Sequence, residues 1–388
     1  MLQVKEKIGN YLYGLVYSEK DTTFSFLRSM ILVLLAGLSV VYALLAGLKR
    51  SLYQYGVLKS YRLSRPVISL GNITLGGTGK TPAAKNLALF IRDQGFKVAV
   101  LNRGYRASFQ GDAALVSDGE KTYLPVSECG DEAYLLAQTL PGVMVVIGKN
   151  RAVAGQFAIE KHGAEVLIID DGYQHWRLKR DLDIVLIDTL DPFGNKYTLP
   201  RGILREPLAC LDRADIFLLT KTNQSSAQKQ DIICWELRKY NQTAAIVKSS
   251  HAPGSFTNLN AWLLKGGEKE NTVSLDNTAV VAFSALGNPA SFEQTLNSLG
   301  VKTAAFICYP DHHYYTIDEM LDLAQKAAVL NAAALVTTEK DAVKIPAAFL
   351  AATSLPVYVL PLDIVFQDGR QELYNAVSQI LQNSERRV

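Results

Sequence analysis

The sequence predicts an α/β protein with a larger body on a parallel sheet, a smaller α/β body after it, and an apolar helix ahead of both. Three observations carry this. Short apolar runs alternate with helical stretches along most of the chain, the pattern of a parallel sheet covered on both faces. One such run, Val67-Ile68-Ser69-Leu70, passes through a Gly-rich turn into Lys80-Thr81 at the start of a helix. Residues 29–48 carry no charge at all.

Taken in order, strands are expected at 66–70, 98–101, 143–148, 166–170, 184–188 and 216–220, with helices near 80–94, 130–139 and 151–162. The runs Val143-Met144-Val145-Val146-Ile147 and Val166-Leu167-Ile168-Ile169 are buried-strand sequences. Residues 246–278 change character. His251-Ala252-Pro253-Gly254-Ser255 and Lys265-Gly266-Gly267-Glu268 read as a linker or hairpin. Alternation resumes with strands at 279–284, 303–308, 334–338 and 356–361 and helices near 289–299, 316–330 and 369–383. The expected division is a membrane-associated helical segment (1–65), a P-loop domain (66–245), a β linker (246–278) and a smaller α/β domain (279–388).

The 388 residues suffice for two domains with real cores. A net charge of +3 gives no basic surface for nucleic acid. The four cysteines, Cys129, Cys210, Cys234 and Cys308, lie far apart. They offer neither a zinc site nor a disulfide framework, and suit a reducing cytoplasm.

As a helix, 29–48 is ~30 Å long, the thickness of a hydrocarbon core. It is too long for the apolar part of a signal peptide. A membrane-embedded helix is expected; the alternative is an apolar helix docked in its own groove. Lys49, Arg50, Lys59, Arg62 and Arg65 follow it without an acid, whereas Lys20 and Arg28 are offset by Glu19 and Asp21. The positive-inside rule puts the C-terminal side in the cytoplasm. The basic flank also favours an anionic lipid surface. Spanning and lying in one leaflet both fit.

The turn after the first strand is built to hold phosphate. Gly76, Gly77 and Gly79 let backbone N–H groups converge on an anion, and the helix beginning near Lys80 adds its partial positive charge. Lys80 would reach the β/γ-phosphates and Thr81 would ligate Mg²⁺. Thr74 stands where the usual pattern has its first glycine. The run Val166–Ile169 ends in Asp170-Asp171, where a P-loop protein places a Mg²⁺-organising aspartate. Gln174 and His175 follow; they bind phosphate, metal-bound water or substrate, or merely order their loop. Arg103 and Arg106, Arg151, and Arg201 and Arg205 lie after expected strands or on a Pro/Gly loop. Each suits an anionic group or, equally, a surface ion pair. Asp131 begins a helical stretch, as a proton acceptor or as a helix cap. Tyr309-Pro310-Asp311-His312-His313 follows a strand of the second body and points to acid–base chemistry or metal binding. Thr338-Glu339-Lys340-Asp341-Ala342-Val343-Lys344 is another charged strand-end loop.

In order, Gly71–Pro82, Arg103-Gly104-Tyr105, Gly130-Asp131-Glu132, Asp170-Asp171-Gly172-Tyr173-Gln174-His175, Leu204-Arg205-Glu206-Pro207, Tyr309-Pro310-Asp311-His312 and Thr338–Lys344 resemble the lipid A disaccharide 4′-kinase (tetraacyldisaccharide 4′-kinase) family. Thr74 is similar to the small hydroxyl residue of that family, while Ala133 departs from its Gly-Asp-Glu-Pro. The resemblance implies two α/β/α domains, the larger P-loop NTPase-like, joined by a β-strand linker with the site in the cleft. It implies transfer of the γ-phosphate of ATP to the 4′-hydroxyl of tetraacyldisaccharide 1-phosphate, with Mg²⁺, on inner-membrane lipid, catalytic domains facing the cytoplasm. It indicates no nucleic acid and no particular protein partner. Asp131 and His312 match a catalytic pair. Lys80, Arg151 and Arg205 complete the expected catalytic set. Thr74, Gly76, Gly77, Thr78, Gly79, Lys80, Thr81, Gln174, His175 and Glu206 form the nucleotide-binding set, and Thr81, Asp170 and Asp171 the metal set. The rival reading is a membrane-tethered P-loop NTPase that switches a protein partner.

Overall fold

The computed structural model describes residues 26–264 and 272–385. Glu19, Lys20, Asp21 and the Lys265–Asn271 turn signal lie outside the described residues. The strands are β1 (Val67–Gly71), β2 (Val98–Asn102), β3 (Ala114–Ser117), β4 (Met144–Ile147), β5 (Val166–Asp170), β6 (Leu182–Asp188), β7 (Ile216–Thr220), β8 (Ala245–Pro253), β9 (Phe256–Asn258), β10 (Thr272–Val273), β11 (Ala279–Ser284), β12 (Lys302–Cys308), β13 (Ala334–Thr338), β14 (Val357–Leu360) and β15 (Leu362–Asp368).

They form two sheets, ordered β15-β8-β7-β6-β1-β5-β2-β4-β3 and β10-β9-β14-β13-β11-β12. In the larger, β8, β7, β6, β1, β5, β2 and β4 run parallel and the two edge strands antiparallel. The central strands are buried along their whole length, as near-continuous Val/Ile/Leu runs require when helices cover both faces. The helix Lys80–Asp93 supports one face through Ala84, Leu87, Ala88 and Ile91, which pack with Ile68, Val100 and Ile168. The smaller sheet closes its own core around Val281, Phe283, Leu335, Phe349 and Val359.

The strand pairings redraw the boundaries expected from sequence. β8 lies in the larger sheet, so that sheet runs to Pro253 rather than ending at 245. β9 and β10, from the expected linker, pair into the smaller sheet. β15 returns to pair antiparallel with β8, and the helix Arg370–Glu385 buries Leu373, Val377 and Leu381 in the core of the larger sheet. The smaller body is therefore not the whole of 279–388. Pro361 alone separates β14 from β15, with no turn signal to mark a change of sheet. β3 was not expected, being a four-residue edge strand with two half-buried residues.

The N-terminal helix spans Phe26–Gln54 and is long and apolar enough to cross a membrane. The alternative of a helix docked on its own protein is seen along one stripe. Leu35 and Ser39 are buried, while Val33, Leu34, Val40, Val41, Leu44 and Leu45 are exposed. The Ser39 hydroxyl donates to the Thr198 carbonyl and the Thr198 hydroxyl to the Ser39 carbonyl, both at 2.8 Å. The Tyr42 hydroxyl donates to the Arg205 carbonyl at 3.0 Å, and Arg50 pairs with Asp212 at 2.5 Å. One stripe is docked on the loop before and around Arg205, and the opposite stripe faces outward.

Candidate active site

The turn after β1 is open toward solvent at its glycines. Gly76 and Gly79 take left-handed φ values of 108° and 86°, which a side chain would disfavour. A Cβ at Gly76 or Gly77 would meet nothing within 4 Å. That empty surface is the room a phosphate chain needs. Gly79 caps the helix Lys80–Asp93 without any side-chain cap, so the helix's first N–H groups stay available to an anion. Thr74 is buried and bridges Leu204, which joins the start of the turn to the Arg205 loop. The Thr78 hydroxyl is buried and unpartnered among the described residues.

Around the turn stands a compact charge cluster. Lys80 Nζ donates to Asn72 Oδ1 at 3.3 Å and lies 3.8 Å from Asp171 Oδ1. Arg205 donates to the same Asp171 oxygen at 2.7 Å. Burial raises the pKa of Asp171, but Lys80 and Arg205 outweigh it and hold the carboxyl below its ordinary range. Asp171 takes a left-handed φ of 56°, so the chain turns sharply to aim two successive carboxylates differently. Asp170 is buried; its Oδ2 accepts from Asn102 at 2.9 Å and its Oδ1 has no partner among the described residues. Burial, then Glu132, push its pKa up. An orphaned carboxylate oxygen beside such a turn suits a cation. With Thr81 it fits Mg²⁺, which takes one or two protein oxygens and fills the rest with water and phosphate. The described residues hold no group of three or more His, Cys, Asp or Glu suited to a metal, as that coordination habit allows.

Arg151 opens the helix Arg151–His162 and is buried. Burial lowers its pKa to about 10 against the pull of Asp171 and Asp170, so it stays cationic at neutral pH. Its Nε has no partner among the described residues, leaving a donor for an incoming anion.

Gln174 and His175 stand one layer back. Gln174 Nε2 donates to the Asn72 carbonyl at 2.8 Å, which orders the entry to the turn. Burial, then Arg151, lower the His175 pKa to about 4, so its imidazole is neutral. Glu206 is held by protein partners. Trp176 donates to its Oε1 at 3.2 Å and Arg213 to its Oε2 at 2.5 Å. These contacts fix the loop that carries Arg205.

Across the cleft the two bodies meet. Asp131 is buried, and its Oδ2 lies 2.7 Å from His312 Nδ1. Gly130, not Asp131, is the helix cap, so the side chain is free for this contact. Burial opposes the charge on Asp131, but the His312 hydrogen bond and the nearby charges of His312, Lys340 and Lys344 hold its pKa below the ordinary range. An ionised Asp131 accepts a hydrogen bond, so Nδ1 carries a proton. His312 takes a left-handed φ of 61°. Lys340 Nζ lies 3.4 Å from His312 Nε2, 3.6 Å from Asp311 and 3.9 Å from Glu132.

The sequence cluster at 309–313 thus divides. His312 enters the cleft, while His313 stacks on Tyr309 and bonds Glu319 of the following helix. The loop at 338–344 divides too. Lys340 faces the cleft, while Lys344 and Asp341 form a fully buried ion pair at 2.9 Å. Sequence reasoning missed Asn72 and Asn102, buried polar residues at the C-terminal edge of β1 and β2 that hold Lys80, Arg205 and Asp170. The available signal was a polar residue closing an apolar strand on the ligand-binding edge of the sheet.

A Gly-rich turn before a helix, an orphaned buried carboxylate and an Asp–His pair suit a phosphotransferase. A family model described as tetraacyldisaccharide-1-P 4'-kinase (LpxK) matches residues 31–382. The chain belongs to this family. It is an enzyme, a kinase of the lipid A biosynthetic class. It is 40% identical over 315 residues to the tetraacyldisaccharide 4'-kinase of Pelobacter propionicus, covering 81% of this chain and 83% of that one. With the tetraacyldisaccharide 4'-kinase of Anaeromyxobacter sp. (strain K) it shares 40% identity over 339 residues, 87% of each chain. The crystal structure of LpxK from Aquifex aeolicus in complex with ATP aligns with a TM-score of 0.70 at 30% identity, covering 92% of this chain and 100% of that one. The Aquifex aeolicus structure shares this α/β fold.

Proposed function

We propose that this kinase transfers the γ-phosphate of ATP to the 4′-hydroxyl of tetraacyldisaccharide 1-phosphate, giving lipid IVA. The single observation that carries the reading is the 2.7 Å contact between Asp131 and His312, which come from the two different bodies. An NTPase switch needs no proton acceptor on the side opposite its phosphates; a kinase acting on a hydroxyl does. The ATP bound in the Aquifex aeolicus structure supports ATP as the donor.

The roles follow from the geometry. The backbone of Gly76–Gly79 and the start of the helix at Lys80 bind the phosphate chain. Lys80 offsets charge on the β/γ-phosphates, and Arg151 and Arg205 offset the charge of the transferring group. Mg²⁺, held by Thr81 and Asp170, would neutralise phosphate charge there. Asp131 fixes the imidazole tautomer, and His312 Nε2 takes the proton from the sugar hydroxyl. Lys340 Nζ, 3.4 Å from Nε2, positions the ring.

The substrate's acyl chains stay in the bilayer, which fits a helix with an apolar outward stripe. Ser39, Tyr42 and Arg50 are docked on the protein. The exposed stripe of Val33, Leu34, Val40, Val41, Leu44 and Leu45 beside the docked one supports a helix lying in the cytoplasmic leaflet of the inner membrane, with the catalytic cleft at its surface. Incubating the purified protein with labelled ATP and the acylated disaccharide 1-phosphate, then chromatographing the lipid, tests the reading. Label must appear on the disaccharide; release as free phosphate alone would refute it.

A further inference from the structure

The loop that receives the N-terminal helix also holds a second helix, Ala227–Tyr240. Ser39 and Tyr42 dock on Thr198 and on the Arg205 carbonyl. In the same loop Lys196 Nζ pairs with Glu236 at 2.9 Å, and Lys229 donates to the Leu190 carbonyl at 2.7 Å. Just past the second helix, Asn241 donates to the Asp212 carbonyl at 3.1 Å, and the Asp212 carboxylate pairs with Arg50 of the N-terminal helix. The two helices are therefore neighbours, tied to one segment of chain.

The inner face of Ala227–Tyr240 buries Ile233 and Leu237 with Phe193, Leu204 and Leu211. Its outer face carries Ile232 and Trp235, 65% and 63% exposed and, three residues apart, side by side. The other two tryptophans, Trp176 and Trp262, are half-buried. Lys239 Nζ lies 3.5 Å from the Trp235 ring centre. On the connecting loop Tyr197 is 43% exposed, with the Arg201 guanidinium 5.1 Å from its ring centre. A lone exposed Ile needs no explanation. An exposed Trp and an exposed Tyr, each with a cation over its ring, beside an outward apolar stripe, have the composition of a membrane–water interface. There the rings sit at headgroup level while Lys and Arg reach the phosphates. Lys196, Arg201, Lys229 and Lys239 stand here against Asp191, Asp231 and Glu236, and Glu236 pairs with both Lys196 and Lys239. The patch is close to neutral, so its rings rather than its charge would hold lipid.

We propose that Ile232, Trp235 and Tyr197 form a second lipid contact, on the catalytic body itself, seated at headgroup level beside the N-terminal helix. The proposal rests on the reading that the outward stripe of that helix lies in the leaflet. The patch is too small to hold the protein on lipid alone. Its work is orientation. A body attached through one helix can swivel about that helix, whereas a second contact off its axis fixes which face of the larger sheet is turned to the bilayer.

The test uses the full chain and vesicles of phosphatidylcholine, with or without phosphatidylglycerol. In flotation, the double variant Ile232→Ser/Trp235→Ser should bind about 10-fold more weakly than wild type, in neutral and anionic vesicles alike. Its melting temperature should be unchanged, because both side chains are exposed. Phosphatidylcholine brominated in its acyl chains should quench a share of the wild-type tryptophan emission, and that share should vanish in Trp235→Phe. Equal fractional quenching in the two proteins overturns the proposal, as does unchanged flotation of the double variant. Val41→Asp/Leu45→Asp, on the exposed stripe of the N-terminal helix, separates the two levels. If it weakens flotation and the serine variant does not, the contact on the body has failed and the helix reading stands; if neither does, both have failed. Should the serine substitutions dissociate a dimer in sedimentation and leave flotation unchanged, the patch joins two copies of this chain, and the lipid contact is overturned.

Discussion

Removing the carboxylate of Asp131 tests the acceptor mechanism most directly. The Asp131 Oδ2 to His312 Nδ1 contact is 2.7 Å, and Asp131 is buried. In Asp131→Asn the amide can donate to Nδ1, which moves the ring proton to Nε2. The lone pair then faces the wrong side. General base catalysis is worth roughly 10²–10⁴-fold, about 2.7–5.4 kcal/mol at 1.36 kcal/mol per tenfold. We expect kcat to fall by that factor, with little change in KM for ATP, because neither residue touches the phosphate turn. His312→Ala should lower kcat as far. It also leaves a buried carboxylate without its nearest partner, costing about 1–3 kcal/mol of stability; Lys340 and Lys344 temper that loss. The double variant should be no slower than the slower single, since residues acting as a unit are non-additive. Steady-state kinetics on the acylated disaccharide, with thermal melts of each variant, measure both effects. Losses that multiply in the double variant, or a normal kcat for Asp131→Asn, would refute the paired mechanism.

Lys80→Ala should abolish phosphoryl transfer and leave the melting temperature near wild type, because Lys80 is half-buried and holds only Asn72 and Asp171; near-normal turnover would remove the P-loop from the chemistry. His175 has a folded-state pKa of about 4, below its unfolded value near 6.5. The unfolded chain takes up the proton first, so this contribution to stability is complete above about pH 6.5 and is lost as pH falls toward 4. Denaturant midpoints for His175→Gln should therefore depend less on pH between 7 and 4 than those of wild type; matching slopes would show that His175 is not the group responsible. Lys344→Ala leaves Asp341 charged and fully buried, and should cost about 3–5 kcal/mol in denaturant titrations. A change below 1 kcal/mol would mean that the Tyr315, Thr338 and Ala285 hydrogen bonds alone satisfy Asp341. Deleting residues 1–48 should abolish partition to vesicles and also slow turnover on detergent-dispersed substrate, since Thr198 and the Arg205 carbonyl lose Ser39 and Tyr42; full turnover in micelles would reduce the helix to a tether.

Local signals made much of this legible. The P-loop was visible because its geometry needs glycine where φ is positive, and Gly76 and Gly79 meet that need. The central strands were visible because strands buried on both faces cannot alternate. Asp131 shows where local signals stop. Spacing alone admits a helix cap, and only the fold brings His312 to it from 181 residues away. The family resemblance supplied that pairing; composition and periodicity did not. Glu206 shows the same limit. Its motif names the residue, but its contacts with Trp176 and Arg213 are set by packing. β15 was hidden because Leu362–Asp368 carries no mark of which sheet will receive it. That choice belongs to β8, more than a hundred residues earlier.

The loop from Tyr197 to Glu206 joins three things usually treated apart. Its backbone pairs with the phosphate turn, Leu75 N–H donating to the Ile203 carbonyl at 2.9 Å and Arg205 N–H to the Ile73 carbonyl at 2.7 Å. Its Arg205 side chain reaches Asp171, and its Thr198 and Arg205 backbone receive the apolar helix. Its far end is pinned by Glu206 to Arg213, whose guanidinium lies 3.6 Å from the Tyr173 ring centre and 4.3 Å from that of Trp176. A shift of the helix on the membrane therefore moves the loop, and the loop cannot move without disturbing either the phosphate turn or the arginine. If the proposed membrane seat of the helix holds, the same contacts that shape the site would also set the height of the cleft above the lipid. The docked stripe of Leu35, Ser39 and Tyr42 is thereby joined to the phosphate turn through one loop.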